Sequence, residues 1–151
     1  MFHLNFIWKK KYKKILSLDG GGVRALASVI FLQKLEQASG KKIFDMFDYY
    51  IGSSAGGLNA LHLTINKTSA ADLVSFWSKD NLSMSMQKSF WSKAIFLNTK
   101  TKYSNESRTE LLKKYFKNKL IASAEKPVSV LAYDVEKRRP RIISSYENSN
   151  I

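Results

Sequence analysis

Apolar and polar positions along this chain fall into alternating short blocks. Lys14 to Leu18 (KILSL) reads as a short strand running into three consecutive glycines. Val23 to Ala38 carries helical spacing, with Gly40 placed to end the helix in a left-handed C′ position. Phe47 to Ile51 (FDYYI) is rich in aromatic and β-branched residues and predicts a second strand, broken at Gly52. Ala55 to Ile65 predicts a helix. Ser69 with Asp72 three residues on forms a capping box for a helix through Ser78, and Ser107 with Glu110 repeats that signature ahead of LLKKYF. Pro127 to Ala132 (PVSVLA) has the apolar character of a buried strand. Arg141 to Ser145 (RIISS) predicts another, across the polar turn DVEKRRP. Strands alternating with helices imply an α/β fold with a mainly parallel sheet covered on both faces.

Composition narrows the picture. The chain has 151 residues, 44% of them hydrophobic, which is enough for one domain with a real core. It holds no cysteine and only two histidines, His3 and His62, so disulfide scaffolds, thiolate metal sites and histidine-rich metal centres are excluded. No metal or other cofactor is expected. The formal charge is +13, carried mostly by lysine, which favours anionic partners: an acidic membrane surface or nucleic acid. Lysine lacks arginine's rigid fork, and the aromatics form no stacking platform, so nucleic acid is the weaker expectation. No segment approaches the roughly 18 apolar residues of a membrane span. In residues 1–13 the lysines follow the apolar stretch, the reverse of a secretory signal. This basic, aromatic leader reads as a solvated charge run ahead of a domain over 14–151, with an interfacial anchor as the alternative. The expected location is cytoplasmic or peripheral at a membrane surface, with specialised secretion left open.

All seven glycines lie at or before Gly57, and the candidate chemistry lies with them, in two strand-to-helix turns. In the first, Gly20, Gly21 and Gly22 precede Val23 and Arg24. Amides unblocked by side chains at a helix start can hold a phosphate or an oxyanion, and Gly20, Gly22 and Ala25 also satisfy a dinucleotide pattern. The loop alone leaves both readings open. The second turn, Gly52-Ser53-Ser54-Ala55-Gly56, is a G-x-S-x-G match between a predicted strand and a predicted helix, the context of a nucleophile elbow. Ser54 is then the candidate nucleophile, with the Ala55 N–H beside it. In a parallel sheet, turns at the carboxyl ends of neighbouring strands line one crevice. A dinucleotide site requires an acidic residue after the second strand, where Gly52 to Ser54 stand. A P-loop requires Lys-Ser/Thr, where Leu58-Asn59 stand. Acyl transfer survives. His62 is eight residues along the same helix, about 12 Å away along its axis, and reads as a packed or surface histidine. Nothing places His3 in the crevice. A histidine triad cannot be completed, so a carboxylate base would act alone.

LSLDGGGVR followed by FDYYIGSSAGGLNAL resembles the patatin-like phospholipases, serine acyl hydrolases of lipids; weaker similarity runs through KYSNESRTELLKKYF and VSVLAYDVEKRRP. The resemblance implies a three-layer α/β/α fold and a Ser–Asp dyad. It implies Ser54 as nucleophile, an oxyanion hole at Gly20, Gly21 and Gly22, and Arg24 as the arginine that shapes it. It implies esters of phospholipids or other acyl lipids as substrates; a protein activator stays unknown. The family's catalytic aspartate sits in a later D-G-G/A motif, absent here because no glycine follows Gly57. The chain thus reads as C-terminally truncated, with feeble hydrolysis or none, and with an exposed sheet edge that would limit its solubility. The alternative is a catalytically silent lipid-binding module. Asp134, followed by Val135-Glu136, is a poor substitute for the missing aspartate. Residues 81–103, with Met84, Met86, Phe90 and Trp91, read either as core packing or as a pliable cap that meets acyl chains. Lys137 to Arg141 reads as a solvated turn, with a phosphate grip as the alternative.

Overall fold

A computed structural model describes residues 12–85 and 105–146. The leader, His3 and most of the segment 81–103 lie outside the described residues. Four strands form one sheet in the order β1 (Ile15–Leu18), β2 (Tyr49–Ser53), β3 (Val128–Asp134) and β4 (Arg139–Ser144). The first three are parallel and β4 returns antiparallel to β3. The six helices among the described residues are α1 (Ala25–Ser39), α2 (Ile43–Met46), α3 (Ser54–Ile65), α4 (Ala70–Phe76), α5 (Lys79–Ser85) and α6 (Asn105–Phe116). This is the α/β, mainly parallel architecture that the alternation of blocks predicts.

Local chemistry explains most boundaries. A short 3-10 turn, Gly22–Arg24, feeds α1, and Gly40 closes α1 at φ 65°, donating its amide to the Glu36 carbonyl. At the start of α4, Ser69 Oγ accepts from the Asp72 amide at 3.1 Å, the predicted cap. Several boundaries differ from the sequence pattern: β3 runs on to Asp134, β4 starts at Arg139 inside the predicted turn, and α2 is an element the pattern did not predict. β2 runs on through Gly52 to Ser53, because Gly52 sits in register between Leu18 and Val130. The helix begun at Ser69 ends at Phe76, and a separate α5 follows. Ser107 lies inside α6, which begins at Asn105, so it does not cap it.

α3 packs directly on β1, β2 and β3, and α1, α4 and α6 gather around it. Leu18, Tyr50 and Val128 from the strands and Val29, Leu32, Leu63 and Leu73 from the helices make one core. The opposite sheet face carries Ile15, Leu131, Tyr133, Ile142 and Tyr146 exposed. There Tyr49 and Ser129 hydroxyls meet at 2.6 Å, and Ser129 meets Ser144 at 2.5 Å.

One charged residue, unremarked in the sequence pattern, ties the helical layer together. The Glu36 carboxylate accepts from the Ile43 amide at 2.8 Å and from the Ala70 amide at 2.8 Å. These are orphan donors at the starts of α2 and α4, where the helix dipoles favour a negative charge. Glu36→Ala should therefore destabilise the chain by about 2–3 kcal/mol, with Glu36→Gln losing less; urea unfolding of the three proteins measures both.

Candidate active site

The site forms where β1 and β2 end side by side. β1 stops at Leu18 and releases Asp19 and the glycine run; β2 stops at Ser53 and turns into α3. Gly21 and Gly22 take positive φ of 140° and 58°, angles that glycine adopts without steric cost. Ser54 takes φ 50° without that freedom. A left-handed angle at an L-residue costs about 1–2 kcal/mol, and such strain persists only where surrounding contacts enforce it.

Those contacts are backbone on backbone. A Cβ on Gly56 would collide with the Leu18 carbonyl oxygen and lie 2.6 Å from the Asp19 carbonyl oxygen. A Cβ on Gly52 would run into the Gly56 carbonyl and lie 2.6 Å from the Gly57 nitrogen. The first turn of α3 can thus press against the ends of both strands only because Gly52 and Gly56 lack side chains. The pressure leaves Ala55, Gly56 and Gly57 buried and Ser54 exposed.

The glycine loop lies against this bend. The Gly20 amide donates to Ser53 Oγ at 3.0 Å, and a Cβ on Gly20 would sit 3.0 Å from Ser54 Cβ. The sequence pattern assigned Ser53 no task. It is the N-cap residue of α3 yet makes no side-chain cap; its hydroxyl holds the loop instead. With the Gly20 amide engaged by Ser53, Gly21 and Gly22 are the amides that the loop can offer a ligand. Arg24 is exposed, and its Cβ and Nε would lie 3.7 and 4.0 Å from a Cβ on Gly21, so it folds over the loop.

Among the described residues, neither candidate base hydrogen-bonds Ser54. His62 is 2% exposed, enclosed by Phe76, Tyr115 and Phe116 with ring centroids 4.5 to 5.3 Å away. Its Nδ1 meets the Asn66 amide nitrogen at 3.3 Å, and Nε2 has no partner among the described residues. Burial lowers its pKa to about 4. It is the packed histidine of the two sequence readings. Asp134, at the end of β3, accepts from the Glu136 and Lys137 amides at 3.1 and 3.0 Å. The Lys137 amide, foremost, holds this carboxylate below its ordinary range, which suits a turn and weakens a base.

A family model described as patatin-like phospholipase matches residues 16–150. The chain belongs to this family. It is 32% identical over 149 residues to patatin-like protein 1 of Arabidopsis thaliana, which covers 88% of the chain and 36% of that relative. Patatin-like protein 4 of the same plant is 28% identical over 149 residues, 89% of the chain and 37% of the relative. The rat 85/88 kDa calcium-independent phospholipase A2 is 40% identical over 62 residues, 41% of the chain and 8% of the relative. The chain thus spans little more than a third of the length of these two plant relatives.

Gly56→Ala must displace the end of β1 and should cost more than about 3 kcal/mol or prevent folding. Gly22→Ala, with open space around its Cβ, should cost only the left-handed strain of about 1–2 kcal/mol; thermal melts of both rank them. His62 binds its proton in the unfolded chain near pH 6.5 but in the folded chain only near pH 4. Stability present above pH 6.5 is therefore lost as pH falls towards 4, by about 3 kcal/mol, and His62→Leu should flatten that slope in melts recorded across the range.

Proposed function

We propose that this chain carries the nucleophile and oxyanion site of a lipid acyl hydrolase, with phospholipid or other acyl-lipid esters as substrates. The observation that carries the reading is the strained, exposed Ser54 at φ 50°, pressed against a glycine loop at the joint end of two parallel strands. Ser54 Oγ would attack the ester carbonyl. The amides of Gly21, Gly22 and Ala55 would face the developing oxyanion, each donor contributing about 10²–10³ in rate. Gly20 would support the loop through Ser53 rather than donate, and Arg24 would add positive charge beside it. Water would then release the acyl group from the serine ester. No metal or cofactor enters this scheme.

A second reading, from a different class, is a lipid-binding module without turnover. It is favoured by the surroundings of Ser54: among the described residues, no histidine or carboxylate hydrogen-bonds its hydroxyl. Loss of base assistance to a serine nucleophile costs on the order of 10⁴ in rate. Hydrolysis by the 151-residue chain alone is accordingly expected to be slow.

A fluorophosphonate probe separates the readings. Under the hydrolase reading it labels Ser54, mapped by peptide mass spectrometry, and Ser54→Ala abolishes both the label and any turnover of a short-chain ester. Label at Ser53 or elsewhere, or turnover unchanged in Ser54→Ala, would overturn it.

A further inference from the structure

The parallel strands sort the basic residues between two poles. Lysines gather where the strands begin: Lys14 precedes β1, Lys41 and Lys42 precede β2, and Lys117, Lys119 and Lys126 precede β3. Several are consumed by the fold. Lys119 Nζ donates to the Ile65 carbonyl and to Asn66 Oδ1, Lys126 Nζ donates to the Phe44 and Phe47 carbonyls, and Lys67 pairs with Glu125. Ser54 lies at the other pole, where the strands end.

That second pole bears a different basic surface. Leu131 stands in register with Ser53, and β3 continues three residues beyond it before β4 returns, an overhang of about 10 Å at 3.3 Å per residue. The hairpin is two-faced. Leu131 pairs with Ile142 and Tyr133 with Pro140, one apolar side; Ala132 pairs with Arg141 and Asp134 with Arg139, the other. Tyr133 is 61% exposed and Val135, at the tip, 77%. Lys137 and Arg138 complete the turn, and among the described residues the guanidinium groups of Arg138 and Arg139 make no ion pair. Exposed aromatic and aliphatic groups rimmed by guanidinium groups match a bilayer surface, where rings settle at headgroup level and arginines take phosphates in pairs of hydrogen bonds.

We infer that the β3–β4 hairpin is the membrane-docking element, inserting Tyr133 and Val135 between anionic headgroups and turning the Ser54 pole towards the lipid. The orientation rests on the hydrolase reading; the lysine pole, though more basic, would face the site away from its substrate. A second copy or a nucleic acid are the competing occupants.

The chain lacks cysteine, so a polarity-sensitive fluorophore can be placed at one position. Val135→Cys and Lys41→Cys, each labelled, are mixed with phosphatidylcholine vesicles with and without phosphatidylserine, with duplex DNA, and with unlabelled chain. The expected result is a blue shift at position 135 with acidic vesicles and none at 41. Arg138→Ser/Arg139→Ser should weaken vesicle partition by about thirtyfold; the charge-matched Lys41→Ser/Lys42→Ser should not. A shift at 41 but not 135, a response only to DNA or to added chain, or equal weakening by both double variants would overturn the inference. Turnover of a soluble short-chain ester is followed in parallel. Vesicle docking at 135 without fluorophosphonate labelling of Ser54 removes the hydrolase reading and leaves the docking element. Turnover without docking at 135 removes the docking element alone.

Discussion

The close approach of the first turn of α3 to the end of β1 governs this structure. Where a helix crosses a strand end at ordinary distance, side chains fill the gap and the connecting bend relaxes. Here the Leu18 and Asp19 carbonyls occupy the space where a Gly56 side chain would be, and the Gly56 carbonyl occupies the corresponding space at Gly52. The bend at Ser54 cannot open without lifting α3 from the sheet, and α3 is the helix on which β1, β2 and β3 all pack. The strain at Ser54 is thus held by the central core contact of the fold, so rigidity of the site and stability of the core are one property.

Much of this was legible in the sequence because glycine is informative where backbone meets backbone. The spacing of Gly52, Ser54 and Gly56, set between an aromatic strand and an apolar helix, fixes a bend with few alternatives. The cap at Ser69 was legible for a similar reason: its hydrogen bond is local. What was not legible depends on contacts distant in the chain. Glu36 bridges to amides 7 and 34 residues away, and nothing in its neighbourhood distinguishes it from a surface acid. Ser53 reads as the small residue beside the nucleophile; that it holds Gly20, 33 residues earlier, follows only from the register of β1 and β2. The enclosure of His62 depends on Phe76, Tyr115 and Phe116, which three separate stretches of pattern could not bring together.

The elements also show how charge follows topology. A parallel sheet gathers the entrances of all its strands at one end and the exits at the other, so connecting segments of similar composition are sorted by which end they serve. A net charge of +13 read as a single number favours any anionic partner. Among the described residues the sheet divides it into a lysine-rich end, partly engaged by carbonyls and Glu125, and an arginine-bearing hairpin at the end where the strands run out.

Adjacent serines at 53 and 54 have the same functional group but φ of opposite sign, −115° and 50°. The first accepts a hydrogen bond from the Gly20 amide; the second, rotated out of the strand conformation, is exposed, and under the proposed hydrolase reading it is the oxygen an incoming electrophile would meet. Discrimination between them needs no difference in acidity. On the proposed reading the preference of an acylating molecule for one of two identical hydroxyls is site selectivity set by backbone conformation alone.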